Sequence, residues 1–382
     1  MEDRRPAEVF PPGEFLKEEL EARGWTQTDL AEILGRSVRL VNEIIAGKRG
    51  ITPETAEALG DAFETSAQVW LNLESAYQLW LVRQKDDIGK NADISRRARL
   101  FSKAPINDMI RRGWLERSPN VDVLEKRLLD FFGIESLDDP THFWAVARKS
   151  TSYGEITPAQ NAWLFRAKQL ARTVPAGTFS QAKLVETIER LRMLLFNAEE
   201  IRHVPRVLAD AGVRFLIIQP LPQTRIDGAC FWLDGNSPVI VVSLRFDRVD
   251  YFWHTVIHEV GHVKNKDGID NTTLDTDLNG RDASSNEKPS YEKAADDFAV
   301  ETLIPQDRLN DFVIRVRPLY SKLRIIAFAN LMKVHPGIVA GQLQHRGEIS
   351  YSSNRDMLTK VRHIITQSAL TDGWGYSLPV VS

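Results

Sequence analysis

The N-terminal part of the chain, residues 9–80, spaces its apolar side chains as short amphipathic helices do. Thr26 and Asp29 have the spacing of a capping box at the start of one of these helices. Ser37 is in position to cap the next helix in the same way. We therefore predict an all-α N-terminal domain at residues 9–80.

Residues 81–204 are mixed in charge and keep the helical spacing of apolar positions over most of their length. The stretch at residues 136–160 contains aspartate-proline and threonine-proline pairs, which are typical of a connector. The pattern predicts a helical middle region that links two domains.

After residue 205 the helical spacing gives way to runs of β-branched and apolar residues. Proline, glycine or aspartate bounds the runs, which is typical of strands. The predicted strands are residues 213–218, 228–233 and 239–242. Strands followed by helices predict an α+β domain at residues 205–350, with residues 351–382 as a C-terminal tail.

Two further helices are predicted in this domain, from about residue 250 to 264 and from 291 to 303. The segment between them, residues 265–290, is polar and almost without large apolar side chains. A structureless loop of that length in a compact domain is usually functional or disordered. We therefore predict a loop of one of these two kinds.

The 382 residues are enough for two or three domains. No apolar run is long enough to span a membrane, the N-terminus lacks a signal-peptide pattern, and Cys230 is the only cysteine. These features predict a cytoplasmic protein with no membrane partner. The net charge of −3 argues against a chain that coats nucleic acid over its whole surface, but it permits a local DNA-binding module.

A metal-binding pattern lies on the first of the two predicted helices. His258 and His262 are four residues apart, so their side chains lie on one face, about 5–6 Å apart, and can reach one metal ion. Glu259 lies between them, where it can act as general base toward a water at the open coordination position. The alternative is a pair of helix-surface histidines without a metal.

A catalytic zinc site needs a third protein ligand, and Glu292 at the start of the next predicted helix is the candidate. Asp296 follows one turn later on the same face, where it can hydrogen-bond the far nitrogen of a ligating histidine. The alternative for Glu292 is a glutamate favoured by the helix dipole. Two histidines and a carboxylate suit Zn²⁺, and Mn²⁺ or Fe²⁺ are not excluded.

Two other histidines are candidates for a catalytic role. His254 lies one turn before His258, and His335 lies in a Val-His-Pro-Gly stretch. Either could stabilise the oxyanion that forms when a carbonyl is attacked. The alternative in both cases is a structural histidine with its hydrogen bonds satisfied.

These motifs resemble the ImmA/IrrE family of metallopeptidases from Gly212 to about Pro305. The matching stretches are Ile226-Asp227-Gly228, Phe252-Trp253, His258-Glu259-Val260-Gly261-His262, and Glu292 with Ala295-Asp296-Asp297-Phe298-Ala299 and Leu303-Ile304-Pro305. The resemblance implies a zincin-like α+β fold and a zinc-dependent, gluzincin-like metallo-endopeptidase. It also implies that His258, His262 and Glu292 are ligands and that Glu259 is the base.

Residues 11–80 resemble HigA-type antitoxin regulators of the XRE helix-turn-helix superfamily. The resemblance rests on Pro12-Gly13-Glu14, Thr26-Gln27-Thr28-Asp29-Leu30-Ala31, Asn42-Glu43-Ile44-Ile45-Ala46-Gly47-Lys48-Arg49 and Trp70-Leu71-Asn72-Leu73. In such a motif the second helix enters the major groove and presents its first residues to base edges. The alternative is a helical protein-interaction module that keeps the fold without the DNA contacts.

The DNA-binding prediction divides into base and phosphate contacts. The base-reading candidates are Ser37, Val38, Arg39 and Asn42. The phosphate-binding candidates are Gln27, Lys48 and Arg49. The formal charge of this region is only +1, so we expect a homodimer or another partner to supply useful affinity.

Together these patterns predict a DNA-binding regulatory zinc metallopeptidase. By its resemblance, it would cleave a repressor or antitoxin to control transcription in a stress, phage or toxin-antitoxin response. Its expected partners are operator DNA, a protein substrate and a cognate toxin. The alternative is a HigA-like transcriptional repressor or antitoxin in which the metallopeptidase fold is non-catalytic and serves partner binding.

Overall fold

The computed structural model describes residues 9–85, 88–137, 156–269, 272–276, 278 and 289–376. The chain divides into two compact units between Arg96 and Arg97. The boundaries expected from the sequence were instead after residues 80, 204 and 350. Most of the predicted connector at 136–160, and part of the predicted loop at 265–290, lie outside the described residues.

The described part of the N-terminal unit is helical, which confirms the predicted all-α fold. Its helices are α1 (Pro12–Arg23), α2 (Gln27–Ile33), α3 (Val38–Ile45), α4 (Pro53–Phe63) and α5 (Ala67–Lys85), and α6 (Ile88–Lys103) crosses the division between the units. They enclose one buried apolar cluster, formed by Leu16, Leu20, Leu30, Ala31, Val41, Ile44, Ile51, Ala56, Leu59, Phe63 and Trp70.

Local capping sets where these helices begin. The Thr26 hydroxyl accepts a hydrogen bond from the Asp29 backbone at 3.1 Å, and the Asp29 carboxylate accepts one from the Thr26 backbone at 2.7 Å. This reciprocal pair is the predicted capping box, and it satisfies two backbone donors that the helix itself leaves without partners. Ser37 caps α3 by accepting from the Leu40 backbone at 3.3 Å.

The C-terminal unit is built around a mixed sheet. Its described strands are β1 (Arg214–Ile218), β2 (Ile226–Trp232), β3 (Pro238–Val242), β4 (Thr273–Thr276) and β5 (Leu370–Asp372), in the order β4-β2-β3-β1-β5. β1 runs parallel to β3 and β5, whereas β2 runs antiparallel to β3 and β4. The three predicted strands are therefore confirmed as β1, β2 and β3, with ends that differ by one or two residues.

Helices make up most of the rest of this unit. They are α7 (Ile106–Arg111), α8 (Val121–Phe132), α9 (Pro158–Ala171), α10 (Gln181–Met193), α11 (Val204–Asp210), α12 (Val249–Asn265), α13 (Ser290–Leu303), α14 (Gln306–Val316), α15 (Lys322–Met332), α16 (Pro336–His345) and α17 (Arg362–Ile365), with 3₁₀ helices at Ala198–His203 and Arg355–Met357. No single described helix is long and apolar enough to cross a membrane, although the bent pair of α15 and α16 meets that test of length and composition together.

Both faces of the sheet are buried, because side chains alternate between two apolar clusters along each strand. On β1, Phe215 and Ile217 belong to the cluster that contains Trp253 of α12. Leu216 lies in the opposite cluster, with Trp163 of α9 and the apolar side of α8. The helical middle predicted at 81–204 thus supplies one covering layer of the sheet, since strands that are apolar on both sides need cover on both sides.

Two short strands lie where the sequence indicated a loop and a tail. β4 lies inside the predicted loop at 265–290, and β5 inside the predicted tail at 351–382. β5 is anchored by Asp372, whose carboxylate is 2.7 Å from the Arg166 guanidinium and 3.0 Å from that of Arg112. The described residues after 350 therefore include the last strand of the sheet. The Asp372 carboxylate holds this strand in place through its ion pairs with Arg112 and Arg166.

The two predicted helices of this unit are confirmed as α12 and α13, and they pack closely. Gly261 makes the contact possible, since a Cβ at that position would lie 3.4 Å from the Ala295 Cα and 3.0 Å from the Phe298 ring. This small-residue contact brings the first turn of α13 against the last two turns of α12.

Candidate metal centre and DNA-binding surface

α12 presents the two histidines of the metal-binding pattern to the interior of the C-terminal unit. His258 and His262 are fully buried, and their Nε2 atoms lie 3.0 Å apart. Two solvent-facing histidines would not converge in this way, so the structure disfavours the helix-surface alternative. The helical spacing and the burial together aim both nitrogens at one point.

Glu292, in the first turn of α13, faces the same point. Its Oε2 atom lies 3.3 Å from the Nε2 of His258 and 3.6 Å from the Nε2 of His262. The side chain is almost completely buried and faces both histidines, so the helix dipole alone does not account for its position. The structure thus brings together the three residues that the sequence indicated as ligands.

A fourth side chain, Asp275 on β4, joins this group and was missed from the sequence. Ligand atoms of His258, His262, Asp275 and Glu292 all lie within 4.8 Å of one another. Asp275 is fully buried, with Oδ1 3.6 Å from the His258 Nε2. The only available signal was the threonine-leucine pair before it, a short β-branched and apolar patch in a polar segment.

Each histidine contacts a carboxylate through its far nitrogen. Asp296 Oδ1 lies 3.0 Å from the His258 Nδ1, where the sequence indicated such a partner. Asp267 Oδ2 lies 3.0 Å from the His262 Nδ1 and was missed. Asp267 follows Lys266, which ends α12 in a left-handed conformation and turns the chain back toward His262. Such carboxylates fix the orientation and tautomer of a ligating imidazole.

Glu259 is fully buried beside this group, and its carboxylate lies against Gly228 of β2. A Cβ at position 228 would be 2.1 Å from the Glu259 Oε1, so only glycine leaves room for the carboxylate. Neither Glu259 oxygen has a hydrogen-bond partner among the described residues. Burial, and then the negative charge of Asp275, raise the pKa of Glu259 well above its usual value.

The surrounding carboxylates raise the pKa values of the two histidines. Burial opposes their protonation, yet Asp275, Asp296 and Glu292 together raise the pKa of His258 well above its usual value. For His262, burial is likewise outweighed by Asp267 and Glu292, and its pKa rises to about 9. Burial would raise the pKa of Glu292, but its hydrogen bonds to both histidines lower it instead.

This set of donors fits a divalent cation. Both oxygens of the buried Asp275 lack a hydrogen-bond partner among the described residues, as do those of Glu259. Buried carboxylates are costly unless a cation compensates them, and in the metal-free protein the protons on His258 and His262 have that role. Imidazole nitrogens and carboxylate oxygens suit Zn²⁺, Mn²⁺ or Fe²⁺.

The other two histidine candidates lie outside this group of four. The His254 ring is nearly parallel to that of His258, with their centroids 6.1 Å apart. His335 instead caps α16, where its Nδ1 accepts from the Gly337 backbone at 3.0 Å and its Nε2 lies 3.4 Å from the Thr359 hydroxyl. The structure therefore does not bring His335 to the metal-binding group, because capping engages its ring.

The DNA-contact candidates lie together on the surface of the N-terminal unit. The base-reading candidates Ser37, Val38, Arg39 and Asn42 are all exposed, from the N-cap of α3 to its fifth residue. Lys48 and Arg49 are exposed just after α3 ends, whereas Gln27 at the start of α2 is half-buried. The apolar side of α3, formed by Val41 and Ile44, packs into the unit, so its polar side faces outward.

Glu43 organises the arginines of this surface. It bonds the Arg39 guanidinium at 2.8 Å, and its other oxygen lies 3.6 Å from Arg49. The hydrogen bond from Arg39 lowers the pKa of Glu43, so the carboxylate stays charged. An ionised Glu43 restrains Arg39 near the outer face of α3 but also competes with any base for its guanidinium.

Two family models match the chain. Residues 16–70 match the helix-turn-helix family, and residues 210–339 match the IrrE N-terminal-like domain, a metallopeptidase family. The first match covers α2 and α3, and the second covers α12 and most of the sheet with both histidines, Glu259 and Glu292. Both resemblances inferred from the motifs are therefore confirmed.

Three similar proteins each match about a fifth of this chain. Virulence-associated protein I of Dichelobacter nodosus is 43% identical over 74 residues, which are 19% of this chain and 68% of that protein. An HTH-type transcriptional regulator of Haemophilus influenzae is 37% identical over 81 residues, 21% of this chain and 73% of its own. Among solved structures, the Pseudomonas aeruginosa antitoxin HigA with the higBA promoter has 39% identity, 20% coverage of this chain, 83% of its own and a TM-score of 0.19. The chain belongs to the helix-turn-helix family through residues 16–70, and its residues 210–339 match the model of the IrrE N-terminal-like domain.

Proposed function

We propose that the protein is a DNA-binding regulatory zinc metallopeptidase that acts in the cytoplasm on a repressor or antitoxin. One observation carries the proposal: His258, His262 and Glu292 converge with a desolvated Glu259 beside them. A site that only held a metal for structure would not need Glu259. The helix-turn-helix in the same chain supports a regulatory role over general digestion of proteins.

In this proposal His258, His262 and Glu292 hold the metal, and Asp296 and Asp267 orient the two imidazoles. A bound Zn²⁺ supplies Lewis acidity to a peptide carbonyl and to the attacking water. Glu259 takes the water proton on a carboxylate oxygen and later returns it to the leaving amine. Its desolvated position against Gly228 suits that task, because burial brings a carboxyl pKa closer to neutral pH. His254 is the remaining candidate for stabilising the oxyanion.

The N-terminal unit would direct this activity to an operator. The relatives that share residues of this unit include HTH-type transcriptional regulators, which supports DNA binding by α3. We propose that Arg39 and Asn42 read bases, helped by Ser37 and Val38, and that Gln27, Lys48 and Arg49 contact phosphates. The small local charge favours a homodimer on a two-fold operator. A toxin encoded with the chain would be a further partner.

The test pairs metal analysis with cleavage by the full-length wild type and its Glu259→Gln variant. The substrates are the proteins encoded beside this chain, including any repressor or antitoxin. We expect equal metal in both proteins and a cleavage rate lower by about 10²–10⁴-fold in the variant. Measurable and equal cleavage by both proteins would contradict the role of Glu259, and metal-free wild type would contradict the ligands.

A second candidate function is a HigA-like transcriptional repressor or antitoxin with a non-catalytic metal fold. One observation favours it: Asp275 makes four protein side chains at the metal-binding group, and structural zinc sites have four protein ligands. This candidate predicts operator binding that depends on the bound metal and no cleavage by any variant. Operator binding by Glu259→Gln equal to wild type, with cleavage lost, would favour the peptidase instead.

A further inference from the structure

Asp275 reaches the metal-binding group from the edge of the sheet. β4, which carries it, is the outermost strand and pairs only with β2 among the described strands. In that pairing Asp275 lies opposite Gly228, the residue that also makes room for Glu259. Both carboxylates therefore enter the same buried space, one from the sheet and one from α12.

The position of β4 is set by contacts on either side of Asp275. The Thr273 hydroxyl donates to the Cys230 carbonyl at 3.1 Å and accepts from the Cys230 backbone at 3.2 Å. Leu274 is buried with the strand side chains on the far face of the sheet. The Leu278 backbone donates to the Asp227 carboxylate at 2.8 Å. Side chains alternate along a strand, so with Leu274 facing one way Asp275 must face the histidines.

The surroundings of Asp275 suit a metal, and the groups next to it are the His258 imidazole and the Glu259 carboxyl. Asp275 is fully buried, and among the described residues neither of its oxygens has a hydrogen-bond partner within 3.5 Å and its ion-pair partner is His258. A carboxylate placed for structure would be bonded to backbone amides or to an arginine, as Asp372 is in this unit. A buried carboxylate is costly unless a positive charge compensates it, and at this position that charge is either a proton on His258 or a bound cation.

We propose that Asp275 is a fourth, displaceable metal ligand that holds the peptidase latent. Three protein ligands leave one position of a tetrahedral ion open for water, and a fourth closes it. While β4 pairs with β2, Asp275 fills that position and excludes the attacking water. Displacement of Asp275 opens the position without removing His258, His262 or Glu292. The inference rests on the proposed peptidase function and names its regulation.

The test measures whether a coordination position is open, independently of cleavage. Full-length wild type, Asp275→Ala and Asp275→Asn are loaded with Co²⁺ and titrated with acetohydroxamate, while the visible spectrum of the ion is followed. We expect acetohydroxamate to bind both variants at least about tenfold more tightly than wild type, because it need not displace a carboxylate. The matched control is Asp297→Ala, which removes an exposed carboxylate of α13.

Chelator competition supplies a second readout. Loss of a ligand should weaken Co²⁺ binding by about tenfold or more in both Asp275 variants and leave Asp297→Ala unchanged. The isosteric Asp275→Asn keeps the test available if Asp275→Ala fails to fold. Equal hydroxamate binding by wild type and a folded Asp275 variant would overturn the inference, because the position would then be open already.

Cleavage separates this inference from the proposed function. We expect Asp275→Ala to cleave faster than wild type, and the double variant Asp275→Ala/Glu259→Gln not to cleave. Tighter hydroxamate binding by Asp275→Ala without any cleavage would support the closed position and contradict the peptidase. Equal hydroxamate binding and equal cleavage by wild type and Asp275→Ala would overturn latency and leave the peptidase standing.

Discussion

The two units place their functional candidates in opposite ways. In the N-terminal unit all seven DNA-contact candidates lie between Gln27 and Arg49, and six of them are exposed. In the C-terminal unit the four possible metal ligands come from α12, β4 and α13, and all are buried. One site is assembled by neighbouring residues of the chain, and the other by the tertiary fold.

This difference decides what holds each site in place. Local hydrogen bonds, such as the Thr26–Asp29 capping box and the Arg39–Glu43 pair, order the DNA-contact surface. The metal-binding group depends on strand pairing and on the close contact between α12 and α13, which join residues far apart in sequence. The first site therefore depends mainly on contacts between residues close in sequence, on helices that pack into the core of their unit, and the second depends on contacts between residues far apart in sequence.

The largest effect is expected from the substitution Asp372→Ala, which tests whether distant contacts hold the C-terminal unit together. The substitution leaves the buried Arg166 without its carboxylate, 206 residues away in sequence, and should destabilise the C-terminal unit by about 3–5 kcal/mol. Urea unfolding measures the loss. The control is Asp356→Ala, which removes the exposed partner of Lys322 and should change the stability little, because water and salt screen an exposed ion pair. Equal losses in both variants would show that β5 does not hold this unit together.

The next test uses pH. In the metal-free protein His262, with its pKa raised to about 9, holds a proton at neutral pH, whereas a metal binds the neutral ring. His258, whose pKa is also raised, holds a second proton that the metal must displace, so metal affinity should fall as pH falls below 9 by more than about tenfold for each pH unit and by more than about 100-fold from pH 8 to pH 6. Competition with a chelator of known pH dependence measures it. Operator binding is the internal contrast, since residues 26–50 contain no histidine.

The partners of the two histidines sharpen the comparison inside the C-terminal unit. Asp296→Asn and Asp267→Asn keep the shape of each side chain but weaken its hold on the imidazole, and each should lower metal affinity by about 10–100-fold. Asp297→Asn, at the exposed position beside Asp296, should have no effect. An unchanged affinity in Asp267→Asn would mean that the fold alone orients His262.

The smallest expected effects belong to the DNA surface. Arg39→Ala should weaken operator binding by about 1–3 kcal/mol and relax specificity at one base, because a base contact is lost. Lys48→Ala should weaken binding to all DNA sequences alike. It should also reduce the slope of log affinity against log salt concentration by about 1, because one phosphate contact is lost. Fluorescence anisotropy on operator and scrambled duplexes measures both. If Arg39→Ala lost the same affinity for both duplexes, Arg39 would not be a base-reading residue.

What the sequence could predict follows the same division. The capping box, the helix-turn-helix, β1 to β3 and the spacing of His258 and His262 are each specified by residues within one short window. Asp275 could not be found in that way, because its neighbours look like a polar loop until β2, more than 40 residues earlier, pairs with them. β5 was missed for the same reason. Asp267 was missed although His262 is only five residues away, because the contact depends on the left-handed turn at Lys266, which was not predicted.

The domain boundaries also show the limit of periodicity. Helical spacing in residues 97–137 and 156–204 correctly indicates helices, but it cannot tell which surface their apolar sides cover. The buried side of α9, with Trp163 and Ala167, covers one face of a sheet whose strands come later in the sequence. The helical pattern therefore predicts a separate middle region, although most of these helices pack against the sheet of the C-terminal unit.

The metal centre depends on Gly228, although this residue carries no functional group. The space that its missing side chain leaves is where the Glu259 carboxylate lies, so a single methyl group there would displace the proposed base. In a mutational scan position 228 should score like position 259, although it can neither bind a metal nor move a proton. Any library built to change the specificity of this protein must keep that glycine constant.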